Sequence, residues 1–226
     1  MLFTKHRIKC GGDMKRSINL CKSFKFGCIC LLALLLAITH INVVSAANTP
    51  TQPYGKHKHY KGVGNVTVYI DYASGAGYWE NFIKVAVNNW MYTGHGANPI
   101  YMKYVSSNNG STMDIYTKKN SYWVSKGLGN SILAETLHYD SNWKYFNPKA
   151  TVKNWVWTQI YINDDNFRKS SFSDEQAKGT IIHEMGHAFG LDHNNPNPKS
   201  IMCQTGAGRE VQRVQKTDSD AINRLY

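Results

Sequence analysis

Apolar and polar positions alternate in "NVTVYIDY" (65–72), where Val66, Val68 and Ile70 recur at every second place. A period of two in a β-branched run predicts a strand. The period then lengthens. In "YWENFIKVAVNNWMY" (78–92), Trp79, Phe82, Ile83, Ala86 and Trp90 recur at three and four, with Val87 widening the stripe. That spacing predicts an amphipathic helix. Three further runs read as strands: "PIYMKYV" (99–105), "STMDIYTKK" (111–119) and "NSILAETLHY" (130–139). "NWVWTQIYIND" (154–164) alternates imperfectly through Trp155, Trp157, Ile160 and Ile162, and reads as a fifth strand ending at Asp164 and Asp165.

A second helix is predicted over "FSDEQAKGTIIHEMGHAFG" (172–190). Ser173 and Gln176 have capping-box spacing, and Asp174 and Glu175 fall in the first turn, where the helix dipole favours acids. Ala177, Ile181, Met185 and Ala188 share one face, and Gly190 is placed to end the helix. A last helix is predicted over 216–226, "KTDSDAINRLY". Five strands and three helices in this order predict a mixed α+β domain, one sheet with helices packed on it. No internal repeat or linker divides residues 64–226, so they read as one domain. The preceding residues 47–63 are polar and rich in Pro, Thr and Lys, and read as a flexible segment. His57 and His59 there read as solvated rather than as metal ligands.

The start of the chain has a different character. Seven Lys/Arg and one acid, Asp13, precede and flank the apolar run "CICLLALLLAITHINVV", which "SAA" follows. A basic region, an apolar core and a small-residue site in that order predict a secretory signal over 1–46, cleaved after Ala46. Met14 is an alternative start that gives a shorter leader. An uncleaved anchor is the other reading, but His40 and Asn42 leave the apolar run short for a span. Secretion changes the charge balance. The whole chain carries +11, whereas residues 47–226 keep 19 basic and 14 acidic residues, a net of +5. This mild excess suits solubility, or an anionic surface such as a cell wall. No basic stripe interleaved with aromatics points to nucleic acid. Four of the five cysteines lie in the leader, so Cys203 stands alone and forms no internal disulfide.

The chemistry concentrates in "HEMGHAFGLDH" (183–193). His183 and His187 are four apart, so their imidazoles lie one turn apart on one helix face. Two ring nitrogens can then meet one ion at about 2.0–2.1 Å. Glu184 points about 100° round the helix, beside the ion rather than on it, where a general base belongs. Gly190 can turn the chain without a Cβ penalty and return His193 as third ligand. A structural zinc is normally closed by four protein ligands; three ligands and a base describe a catalytic site.

This stretch resembles the metzincin signature H-E-x-x-H-x-x-G-x-x-H. Nine residues after His193, "SIMCQ" resembles that family's methionine turn, which implies that Met202 sits beneath the ligands. "FIKVAVNNW", "ILAETLHY", "TQIYINDDNF" and "TDSDAINRLY" resemble the first helix, edge strand, pre-helix strand and closing helix of the matrixin branch. The resemblance spans about 65–226. It implies a twisted mixed sheet with three helices and a zinc endopeptidase of proteins or peptides; with the leader cut, the protein is expected outside the cell, free of the membrane and monomeric. It also implies that substrate lies antiparallel to the edge strand near Ile132, Leu133, Ala134 and Glu135. Three features depart from the matrixin pattern. No propeptide cysteine is present to cap the zinc. Glu135 and Tyr161 stand where ligands of a second, structural zinc are expected, and no tyrosine follows Met202 as an additional ligand. Asp164 and Asp165 are candidates for calcium, with solvated loop acids the equal alternative. Asp192 reads either as a residue that orients a ligand histidine or supports the turn, or as a plain exposed loop acid. Two rival functions stay open on sequence alone: a zinc-binding surface module without proteolysis, and a peptidase of cell-wall peptides.

Overall fold

A computed structural model of the chain describes residues 49–151 and 153–226. The leader expected over 1–46, with the cleavage site expected after Ala46 and four of the cysteines, lies outside the described residues. Among the described residues no helix is long and apolar enough to cross a membrane.

Six strands form one sheet: β1 (Val66–Ile70), β2 (Met102–Val105), β3 (Met113–Lys118), β4 (Ala134–Tyr139), β5 (Tyr145–Phe146) and β6 (Trp157–Asn163). Side by side they run β2-β1-β3-β6-β4-β5. β1 is parallel to β2 and β3, and β3 is parallel to β6. β4 runs antiparallel to both β6 and β5. The architecture is mixed α+β, with all five strands read from the periodicity and one more. β5 is a two-residue return after β4, too short to show a period.

The helices are α1 (Glu80–Met91), α2 (Asn120–Ser125), α3 (Asp164–Phe167), α4 (Asp174–Ala188) and α5 (Lys216–Leu225). The three long ones are those expected; α2 and α3 are too short for a 3.6-residue period to be read. α3 begins where the fifth strand was expected to end, because the Asn163 side chain accepts from the Asn166 N–H at 3.2 Å and caps a helical turn. The imperfect alternation before it also has a cause. β6 starts only at Trp157, so Ile160 and Ile162 enter the core while Trp155 lies outside the strand and donates its indole N–H to the Ala188 carbonyl.

α4 runs through the middle of the molecule. It begins with the expected capping box: Ser173 Oγ accepts from Gln176 N at 3.2 Å, and Gln176 Oε1 accepts from Ser173 N at 2.9 Å. From Gly179 to Ala188 every residue is buried. α1 packs on it through Ile83, Ala86, Val87 and Trp90, and the Trp90 indole donates to the Ile182 carbonyl at 2.8 Å.

Residues 49–63 differ from the flexible segment that their composition predicts. Pro53 bridges to Leu191 and His59 to Trp155. His59 is buried, with Nε2 2.9 Å from the Val156 carbonyl, and takes no part in a metal cluster. Thr51 is fully buried and donates through Oγ1 to Asp218 Oδ1 at 2.7 Å. These partners are 96 to 167 residues away in sequence, so local composition carries no trace of them.

Asp218 is the anchor of that arrangement. Its carboxylate also accepts from Ser200 Oγ at 2.5 Å and from the N–H groups of Ile201 and Gln215 at 3.0 Å each. One buried side chain therefore joins the amino-terminal segment, the turn around Met202 and α5. Asp218→Ala leaves these buried donors without an acceptor and should cost about 3 kcal/mol in urea unfolding, with Asp218→Asn between it and the wild type. A loss below about 1 kcal/mol would show that the junction is held by something else.

Candidate active site

Three imidazoles meet at the carboxyl end of α4. His183 and His187 are one turn apart on the helix. Gly190 has φ +103°, a left-handed conformation open to glycine, and accommodates the reversal that brings His193 back. Its N–H bonds the His187 carbonyl at 2.9 Å and the Leu191 N–H bonds the Gly186 carbonyl at 2.9 Å, closing the helix end. His187 Nε2 then lies 3.1 Å from His183 Nε2 and 3.0 Å from His193 Nε2. Those separations approach the edge, about 3.3 Å, of a tetrahedron around an ion with bonds of about 2.0–2.1 Å. Among the described residues this is the one group of three that could hold a metal.

The opposite ring nitrogens fix the tautomer. His183 Nδ1 faces the Ile201 carbonyl at 2.7 Å, and His187 Nδ1 faces the Leu191 carbonyl at 2.7 Å. A carbonyl can only accept, so each Nδ1 carries the hydrogen and each Nε2 presents its lone pair inward. The Tyr54 hydroxyl is also 2.7 Å from His187 Nδ1, and its ring stacks on the imidazole. Burial, helped by Arg209, pushes His183 down to about 3. Burial and the neighbouring imidazoles hold His187 well below the usual histidine range, and burial lowers His193. All three rings are therefore neutral at pH 7, the form that ligates a metal. A zinc ion fits this donor set.

Met202 is fully buried against the helix that carries the ligands. A Cβ on Gly186 would overlap the Met202 sulfur, so glycine between the two helix histidines admits the methionine. Glu184 is buried beside the histidines. Thr136 on β4 donates through Oγ1 to Glu184 Oε2 at 2.7 Å. Burial pushes the Glu184 carboxyl up to about 7, against the hydrogen bond from Thr136.

β4 forms the wall of a cleft of about 620 Å³ over this site, with residues 131–136 on one side and 204–207 on the other. Ile132, Leu133, Ala134 and Glu135 all line it. Because side chains alternate along a strand, Glu135 turns its own away from Thr136, toward Tyr122, Tyr139 and Tyr161 on the far face of the sheet. Asp192 does not reach an imidazole nitrogen. It accepts from the His193 backbone N–H at 2.6 Å and pairs with Lys149 at 2.5 Å, so it fixes the turn. Asp164 is paired with Lys119 and Arg168, and Asp165 with Lys119. Both carboxylates are thus engaged with cations of the protein.

Four residues of the site carry no motif: Tyr54, Thr136, Gly186 and Arg209. Tyr54 is 133 residues from its histidine in sequence, and Thr136 is 48 from its glutamate. Gly186 lies inside the signature at an unconstrained place, where helix propensity disfavours it and only close packing explains it.

The family model described as Matrixin matches residues 77–226. No curated protein matches the chain. Among solved structures, a chain of the "GM1 bound form of the ECX AB5 holotoxin" is similar at 16% identity and a TM-score of 0.41, over 78% of this chain and 90% of that one. The match to the family model takes in two thirds of the sequence, including all three histidines, Glu184 and Met202, and the chain belongs to the matrixin family of zinc metallopeptidases.

Proposed function

We propose that the protein is a secreted zinc endopeptidase that cleaves extended segments of proteins or peptides. One observation carries the reading. Three neutral imidazoles converge beside a buried carboxylate, at the floor of a cleft whose wall is a strand with a free edge. β4 pairs with β6 on one side, and with β5 only at His138 and Tyr139. The rest of its outer edge is open to a peptide backbone, which adds as an antiparallel strand; pairing gives affinity and pockets give selectivity.

His183, His187 and His193 would hold the metal. Bound there, zinc supplies Lewis-acid chemistry that polarises a water and the scissile carbonyl. Glu184 takes the proton of the attacking water and delivers it to the leaving nitrogen. Thr136 holds one oxygen of that carboxylate and leaves the other for the proton. Hydrogen bonds from β4 orient the peptide across the histidines. The Asn163 and Asn166 amides both donate to the Ile132 carbonyl, at 2.8 and 2.6 Å, and keep the start of this wall in place. The protein acts as a monomer with one zinc, outside the cell and free of the membrane after its leader is removed, and nucleic acid is not a partner.

Glu184→Ala should retain one zinc by metal analysis and lose about a thousandfold in kcat/KM on casein or a quenched peptide. Wild-type turnover by that variant would be incompatible with the mechanism, as would activity that survives complete removal of zinc by a chelator. Thr136→Val should bind zinc normally and lose about tenfold, because an unanchored carboxylate spends less time in the productive position. An unchanged rate would deny Thr136 that role. Amino-terminal sequencing of protein recovered from the culture medium should begin at Ala47; intact protein confined to the membrane fraction would contradict secretion.

A further inference from the structure

We infer that the cleft selects an acidic side chain immediately after the scissile bond, and that Arg209 is the residue that reads it. This rests on the endopeptidase reading above and names the substrate class of the same site. Arg209 lines the cleft and is only 9% exposed. Its guanidinium has five N–H donors. Nη1 meets the Cys203 carbonyl at 3.4 Å; Nη2 meets Thr180 Oγ1 at 3.3 Å and Gln212 Oε1 at 3.4 Å. All three contacts are long and all three acceptors are neutral. Nε is buried with no partner at all. A buried cation is normally paired, because leaving it unpaired is costly. Glu184 is the carboxylate that acts on it electrostatically, without a hydrogen bond to it, and that group is committed to the chemistry. An anion that completes Arg209 therefore has to come from outside the chain.

The surroundings are shaped for such a visitor. Thr205, Gly206 and Ala207 form the facing rim with small side chains, and a Cβ on Gly206 would meet nothing within 4 Å. Gly179 has the reverse property. Any side chain there would overlap Gln212, which supports the guanidinium from behind. Glu135, the other carboxylate along this wall, directs its side chain to the far face of the sheet. A carboxylate entering the cleft meets a planar fork that matches it in a bidentate geometry.

The direction of the substrate fixes which side chain this is. Thr136 lies against Glu184, and His138 Nε2 lies 3.0 Å from the His187 carbonyl. β4 and α4 thus run side by side in the same direction. Thr180, one turn before Glu184, lies toward the start of β4, and Arg209 with it. A peptide antiparallel to β4 carries its carboxyl-terminal half to that end. The side chain that follows the cleaved bond is the one that reaches Arg209.

The test uses peptides that differ only in the residue after the scissile bond: Glu, Gln, Leu or Lys. Wild type should cleave the Glu peptide about 10- to 100-fold faster in kcat/KM than the Gln peptide, with Lys slowest. Arg209→Gln should erase that preference at unchanged zinc content, and Arg209→Lys should restore part of it. Equal rates for Glu, Gln and Leu in the wild type would overturn the inference, and need no variant to fold. Binding is read separately, by fluorescence anisotropy of the uncut peptides on zinc-loaded Glu184→Ala. If no peptide is cleaved at all, the endopeptidase reading fails. The anisotropy then still decides on Arg209: tighter binding of Glu than Gln supports it, and equal binding refutes it.

Discussion

The zinc site depends on where two backbone carbonyls stand. Ile201 and Leu191 accept the Nδ1 hydrogens of His183 and His187, which turns both Nε2 lone pairs toward one point. Neither carbonyl belongs to the helix that bears the histidines. Leu191 is delivered by the reversal at Gly190. Ile201 is held because its own N–H is bonded to Asp218, the carboxylate that also fastens Thr51 and Ser200. The turn around Met202, the closing helix and the amino-terminal segment thus share one task, which is to set the orientation of two rings. Burial completes it. Imidazoles inside the protein stay neutral, so the site is ready to accept a cation without first releasing protons.

The same burial has the opposite consequence for Glu184. Desolvation raises the affinity of its carboxyl for a proton, whereas it lowers that of the histidines. Ligands and base are adjacent on one helix turn and are tuned apart by a single physical effect acting on groups of opposite charge type. Arg209 adds the third charge. Placed at the end of the cleft toward the start of β4, it is close enough to act on both Glu184 and His183. The cleft is therefore not a uniform groove. One end is cationic, three imidazoles meet at the centre, and the wall is a strand whose outer edge is unpaired from Ala134 to Leu137.

Much of this was legible in the chain. Period-two patterns and recurrences at three and four located all five longer strands and the three long helices, because apolar side chains that enter the core recur with the period of the element that carries them. The start of α4 was readable for the same local reason: Ser173 and Gln176 bond to each other across three residues. His183, Glu184, His187, Gly190 and His193 fall within eleven residues, so helix geometry alone relates them. β5, α2 and α3 escaped because short elements show no period. The order in residues 49–63 escaped because polar composition describes a segment in water and says nothing of the partners it will find.

The sequence determined by itself the local geometry of one helix and its turn, and with it which residues are candidates for metal ligands and base. Tertiary structure alone decided which carbonyls orient the rings, which threonine holds the Glu184 carboxylate, why Gly186 must lack a side chain, and which of the readings of Asp192 holds. It alone left Arg209 buried without a counter-charge. The division follows from distance along the chain. Residues three or four apart are tied by the helix itself, whereas Tyr54, Thr136 and Arg209 reach the site only because the sheet, the loops and the core have first brought remote parts of the chain together.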